Sequence, residues 1–151
     1  MDPGSLISLC SAFAAILAAV YARWQATAAK KANEISLHEN RLKVYSGLSR
    51  FRVHITGQGT NIKEEEVWRF AEIVELSEFY FSENISVRMN SVFDRSLKLL
   101  SLNDEWKTAK EFDHCTAKPL VQPRHDLMRE IRDDCYKMTD DMKGVLRVGS
   151  A

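Results

Sequence analysis

The 151-residue sequence lacks several features that mark common classes of protein. It carries 21 basic and 21 acidic side chains, so it has none of the excess positive charge with which nucleic-acid-binding proteins attract their ligand. Its three cysteines, at positions 10, 115 and 135, are odd in number and widely spaced. That argues against a secreted disulfide scaffold and favours a reducing compartment. With 45% hydrophobic and 28% charged residues, the composition is globular rather than disordered.

The sequence also lacks the short motifs on which many enzyme classes depend. Residue types that bind metals come together in one group only: His114, Cys115, His125 and Cys135. No pair among them has the Cys-x2-Cys or His-x3-His spacing of a zinc site. The glycines of residues 57–59 follow no predicted strand and precede no Lys-Ser/Thr pair, so they do not form a phosphate-binding loop. We therefore predict no enzymatic activity, no catalytic residues, no metal ligands and no cofactor.

What the sequence does have is a run of twenty residues, from Pro3 to Ala22, without a charged side chain. Because twenty uncharged residues suffice for a helix to cross a bilayer, we predict a transmembrane helix here. Its strongly apolar residues are Leu6, Ile7, Leu9, Phe13, Ile16, Leu17 and Val20. A cleaved signal peptide and a buried helix of a soluble protein are the alternatives. A signal peptide has basic residues before its apolar segment, whereas only Asp2 is charged there.

The basic residues that follow the apolar run predict its orientation. Arg23, Lys30 and Lys31 come directly after it, and positive residues favour the cytoplasmic side of a membrane. Trp24 lies at the same boundary, where amphipathic rings prefer to be. These four residues are the predicted topology anchors, with the N-terminus outside and the rest of the chain cytoplasmic. Residues 23–55 hold seven basic and two acidic side chains, which suits an anionic lipid surface.

Small residues recur at four-residue spacing within the predicted span. Ser11, Ala15 and Ala19 form one row, and residues 14, 18 and 22 form a second. Such rows let helix backbones approach closely in lipid, so we predict self-association through Ser11, Ala15 and Ala19. The alternative is that alanine is simply common in weakly apolar spans.

Helical periodicity continues through the rest of the chain, and no segment alternates as a strand does. We predict a first helix reaching residue 55, a second over 62–81 capped by Asn61, and a third from about residue 85. A shorter helix is predicted to begin at Asn103 and Asp104, followed by a loop over 114–123, which contains two of the three prolines. A last helix is predicted over 124–146. Its apolar stripe is typical of a bundle or coiled coil and comprises Leu127, Ile131, Cys135, Met138, Met142 and Val145.

These patterns predict an all-α fold, in which an N-terminal transmembrane helix continues into a stalk and an antiparallel helical bundle. The predicted divisions are a transmembrane anchor over 1–23, a basic amphipathic helical stalk over 24–56 and a cytoplasmic bundle over 57–151.

The sequence SAFAAILAAVYARWQ at residues 11–25, followed by KVYSGL at residues 43–48, resembles short, uncharacterised bacterial inner-membrane proteins. Those proteins have one N-terminal span, an alanine-rich stalk and a small helical cytoplasmic domain. The resemblance implies the same layout and a location in the bacterial inner membrane. It implies no activity and supplies no catalytic residues.

The sequence is compatible with three functional classes. We expect a membrane-anchored helical interaction or scaffold module that contacts membrane lipid, forms a homo-oligomer and binds a cytoplasmic protein, with no role for nucleic acid. The alternative is a small oligomerising membrane effector, of the toxin or phage-defence type, that perturbs the inner membrane. An enzyme or metal protein is the third class, and only the histidine and cysteine group supports it.

Overall fold

A computed structural model describes the backbone of residues 3–112 and 114–148, and the side chains of residues 11, 13–112 and 117–147. Over this part of the chain there are four α-helices and no strand, which confirms the all-α prediction. The helices are α1 (Pro3–Gln58), α2 (Glu64–Tyr80), α3 (Glu83–Phe112) and α4 (His114–Val148).

The chain divides into two compact units, Met1–Leu37 and His38–Ala151. The first unit contains the N-terminal part of α1, and the second contains the remainder of α1 with α2, α3 and α4. A search of the described residues finds no helix of sufficient length and apolarity to cross a membrane. The side chains of residues 3–10 and 12, which belong to the predicted span, lie outside that description.

The core of the second unit begins with one face of α1. Val44, Leu48, Phe51 and Ile55 are buried and continue into buried residues of the other three helices. The ring of Phe51 stacks on Phe70 of α2, with centroids 4.1 Å apart and planes 3° from parallel. The predicted stripe of α4 is confirmed at its centre, where four residues are fully buried: Ile131, Cys135, Met138 and Met142. Although the sequence assigned residues 44–55 to a stalk, their apolar face is part of this core.

Polar contacts between neighbouring helices show that they run antiparallel. Between α1 and α2, Arg41 Nε donates to the Tyr80 carbonyl at 2.9 Å, and Arg50 pairs with Glu66 sixteen residues later. Between α3 and α4, Arg88 pairs with Asp141 at 2.6 Å. From residue 41 to residue 50 of α1 the contact on α2 moves back from residue 80 to residue 66, and a residue near the start of α3 contacts one near the end of α4, as in an up-and-down bundle.

The predicted break at Asn103 is wrong, since α3 runs from Glu83 to Phe112 without interruption. Asn103 does not cap a new helix, because its buried side chain is engaged elsewhere. Its Nδ2 donates to the Thr60 carbonyl at 2.6 Å, and its Oδ1 accepts from Arg124 Nε at 2.7 Å. Asparagine favours caps only when its side chain is free to bond the nearby backbone.

The predicted loop over 114–123 is also wrong, because α4 begins at His114 and includes Pro119 and Pro123. Each proline removes one backbone N–H donor from the helix. Ala117 and Arg124, on either side of the prolines, are buried against the bundle. Tertiary packing of such neighbours can hold a helix together through positions that would end it in isolation.

The start of α2 differs from its prediction too. Lys63, not Asn61, occupies the N-cap position, with an extended backbone and no side-chain cap. Its backbone N–H instead donates to His54 Nε2 of α1 at 3.1 Å. The imidazole of His54 thus accepts from a backbone N–H at the start of α2 that would otherwise bond to water.

Gly47 of α1 provides the first test of this packing. A Cβ atom at residue 47 would lie 2.5 Å from Ile73 Cγ1 and 2.8 Å from Cγ2, both attached to the branched Cβ of Ile73. We expect Gly47→Ala to lower the free energy of unfolding by about 1–3 kcal/mol, the usual cost of overpacking a core. Urea unfolding followed by circular dichroism would measure the change.

Gly144→Ala is the matched control, because a Cβ there meets nothing within 4 Å in the same helical backbone state. It should stabilise the protein by up to about 1 kcal/mol through helix propensity. Gly47→Ala should cost less in an Ile73→Ala background than in the unmodified protein, because the atoms it meets are then absent. Equal effects of the two glycine substitutions would contradict the close approach of α1 and α2.

Candidate membrane and association surface

The bulky apolar residues between Phe13 and Trp24 share one side of α1. At 100° per residue, they fall within an arc of about 140°. Each is more than half exposed; they are Phe13, Ile16, Leu17, Val20, Tyr21 and Trp24. Contiguous exposed apolar faces of this kind are typical of surfaces that contact a membrane or a partner. Of the predicted span residues, Leu6, Ile7 and Leu9 lie outside the described side chains.

The predicted association residues lie on the opposite side of the same helix. Ser11, Ala15 and Ala19 are all exposed, and their spacing aligns them along the helix axis. Because their side chains end at Cβ or one atom beyond, another helix backbone could approach this side closely. The helix therefore separates bulky from small residues, a division that the sequence analysis did not identify.

The predicted topology anchors lie at the C-terminal end of the bulky face. The rings of Trp24 and Tyr21 are 6.1 Å apart and tilted by 39°. Arg23, Lys30 and Lys31 are exposed. Within the described residues, none of these three cations forms an ion pair. Their charge is thus available to an anionic surface.

The histidine and cysteine group gains no support as a metal site. Among the residues whose side chains are described, no cluster of three or more His, Cys, Asp or Glu could hold an ion. His114 and Cys115 lie outside that description, and His125 is exposed. Burial, reinforced by the nearby charge of Asp134, raises the pKa of the Cys135 thiol to about 12. A thiol that stays protonated is neither a good metal ligand nor a nucleophile.

A shallow cleft of about 280 Å³ opens between α1 and α2, and the sequence analysis missed it. The residues that line it include Gly47, Arg50, Phe51, Glu66, Arg69 and Phe70. The Glu66 carboxylate accepts from Arg69 at 2.9 Å and from Arg50 at 3.3 Å, so its charge is compensated. The described lining contains no Ser, Cys or Lys nucleophile. Sequence spacing gives no signal for this cleft, because its two walls meet only through tertiary packing.

His54 links α1 to the start of α2 and interacts electrostatically with Glu66 and Arg50, which line this cleft. Burial lowers the pKa of its imidazole, partly opposed by the Glu66 carboxylate and assisted by the positive charges of Lys63 and Arg50. The ring is therefore held neutral, which leaves Nε2 free to accept the Lys63 N–H. Local sequence spacing gives no signal for this contact, because His54 and Lys63 meet only where α1 and the start of α2 pack together.

Comparisons with known proteins identify no relative of this chain. No protein-family model, no curated protein and no solved structure matches it.

Acidification tests the hydrogen bond that His54 accepts. Because the folded-state pKa lies below the ordinary value of 6.5, the neutral ring stabilises the fold above that pH. This contribution is lost as pH falls through the folded-state pKa, since protonated Nε2 cannot accept the Lys63 N–H. We expect His54→Gln, whose amide oxygen can accept, to reduce the loss of unfolding free energy between pH 7 and pH 5.

His125→Gln serves as the control, because that ring is exposed on α4. Its urea-unfolding free energies at the two pH values should follow those of the unmodified protein. An unchanged pH dependence in His54→Gln would exclude a role for the His54 contact.

Proposed function

We propose that this protein is a membrane-anchored helical interaction module without catalytic activity, located in the bacterial inner membrane. The observation that carries the proposal is the exposed bulky face of residues 13–24, on a helix that begins in a run without charged side chains from Pro3 to Ala22. Lipid is the occupant that best fits this face. It covers apolar side chains without needing a shape-matched partner, and the aromatic pair and three cations at its end match a membrane–water interface.

The proposed orientation has the N-terminus outside and the bundle in the cytoplasm. Arg23, Lys30 and Lys31 support it, because cations near the end of a span are retained on the cytoplasmic side. A reducing cytoplasm also suits Cys135, a buried thiol without a disulfide. The bundle would then present its surface to a cytoplasmic protein.

The small-residue side supports a homo-oligomer. With the bulky face directed to lipid, Ser11, Ala15 and Ala19 would face a second copy of the same helix. Helix association in lipid depends on close backbone packing, because apolar burial provides no driving force between helices there.

Membrane fractionation with an alkaline carbonate wash tests the anchor. We expect the full-length protein to stay in the pellet, and a C-terminal tag to be protected from protease in spheroplasts. Leu17→Lys should release much of the protein, since a central lysine costs about 2.5–3.5 kcal/mol and few strongly apolar residues offset it.

Val53→Lys is the matched control, because Val53 is an exposed apolar residue of α1 in the second unit. It should pellet like the unmodified protein. A soluble full-length protein would overturn the anchor. Pelleting with a digested tag would overturn the orientation and leave the anchor intact.

Self-association is tested by enlarging the small side of the helix. Ala15→Leu and Ala19→Leu should each reduce the oligomer fraction several-fold in sedimentation experiments in detergent micelles, because the added methylenes separate the backbones. Ile16→Leu, which preserves volume on the bulky face, should leave the fraction unchanged. An oligomer that tolerates both alanine substitutions would exclude this interface.

The small-residue side also favours a second candidate, an oligomerising effector that perturbs the inner membrane. Growth arrest with loss of membrane potential on induction would support it over a scaffold. Harmless overexpression would support the interaction module.

A further inference from the structure

Arg124 of α4 is a buried cation, with only 4% of its surface exposed. Its guanidinium lies where α3, α4 and the α1–α2 connection meet. Nε donates to Asn103 Oδ1 at 2.7 Å, and Nη2 donates to Thr60 Oγ1 at 3.3 Å. Asn103 in turn donates to the Thr60 carbonyl at 2.6 Å, which fixes the position of both acceptors.

Every described hydrogen-bond partner of Arg124 is neutral. No carboxylate of a described residue lies within ion-pair distance of it, although arginines elsewhere in the bundle pair with acids. A buried charge is costly unless an opposite charge accompanies it. Burial accordingly lowers the pKa of Arg124. The site retains a cation at a position where the described residues supply no counter-charge.

The two bonds of Arg124 also leave one edge of the guanidinium unused. A guanidinium has five N–H donors arranged as two forks. Asn103 and Thr60 occupy the fork formed by Nε and Nη2, and Nη1 donates to no described residue. The remaining fork, formed by Nη1 and Nη2, has the geometry that binds a carboxylate or phosphate through two parallel bonds.

A second cation lies beside the same aromatic ring. Arg124 Cζ is 4.3 Å from the ring centroid of Trp106, and Lys110 Nζ is 4.9 Å from it. Lys110 and Trp106 are four residues apart on α3, so they share one side of that helix. Lys110 is exposed and forms no ion pair with a described residue. Two cations therefore lie against one aromatic ring.

We propose that Arg124 and Lys110 form an oxyanion-binding site beside Trp106, which takes a carboxylate or a phosphate group. Arg124 provides the fixed fork, held from behind by Asn103 and Thr60. Lys110 provides a mobile second charge at the surface. The site belongs to the second unit, so the proposal does not depend on whether residues 3–22 cross a membrane.

Nuclear magnetic resonance of the ¹⁵N-labelled full-length protein in zwitterionic detergent tests the site. The reporters are the Arg124 Nε–H signal, assigned by its absence in Arg124→Lys, and the Trp106 indole N–H signal, assigned by its absence in Trp106→Phe. Inorganic phosphate, acetate and chloride are titrated separately at constant ionic strength. We expect saturable shifts of both signals with phosphate or acetate. Chloride should produce none, and the more effective oxyanion identifies the ligand class.

Lys110→Gln and Lys107→Gln form a matched pair of exposed substitutions on α3. Lys107 pairs with Asp104 and lies one turn away. Lys110→Gln should weaken oxyanion binding by about threefold or more, through the loss of a nearby charge, while Lys107→Gln should change it little. Linear, non-saturating shifts would overturn the proposal, as would equal binding by the two variants. Because both lysines are exposed, this comparison remains decisive if Arg124→Lys fails to fold.

Discussion

The burial of one face of α1, from Val44 to Ile55, is the constraint on which the rest of the bundle depends. That face supplies Phe51 to the stack with Phe70 and places Gly47 where Ile73 can approach the backbone. Once α1 and α2 are fixed in this register, α3 and α4 complete the same core. A helix that begins in the uncharged N-terminal segment is therefore also a principal element of the bundle core.

The polar contacts of the bundle are of two kinds, which differ in how much they contribute to stability. Arg88–Asp141 and Lys107–Asp104 are ion pairs at the surface, and such pairs typically contribute about 0–1 kcal/mol. The bonds among Arg124, Asn103 and Thr60 are buried or partly buried, and losing one partner would leave another unsatisfied. The second kind specifies how the α1–α2 connection meets α3 and α4. At this end of the bundle, the packing of the helices is determined by those few bonds more than by the surface ion pairs.

Periodicity alone predicted the elements whose apolar residues repeat along one helix. It predicted the all-α class, the long α1, and the centre of the α4 stripe around Ile131 and Met138. It failed where local signals competed with tertiary contacts. Asn103 resembles a cap, and two prolines resemble a loop, but buried contacts overrule both. His54 as the acceptor at the start of α2 could not be predicted, because its partner is nine residues away across a turn.

The candidate membrane and association surface was predicted only in part. Composition identified the uncharged segment and its flanking cations, whereas only the helix geometry separates the bulky side from the side of Ala15 and Ala19. The Arg124 site left no signal at all in the sequence. Its residues come from three separate elements, which sequence spacing does not bring together: Thr60 from the α1–α2 connection, Arg124 from α4, and Asn103, Trp106 and Lys110 from α3.

Exposed apolar residues occur in both units, and the contrast between them gives the membrane proposal its physical basis. On the bundle, residues such as Val53 and Val87 are exposed between polar neighbours in the sequence. Single exposures of that kind are normal in soluble proteins. Between Phe13 and Trp24, large apolar side chains instead follow one another on a single side, with alanine on the other. Water solvates such a continuous face poorly, whereas lipid would cover it and would leave the alanine side to pack against a helix.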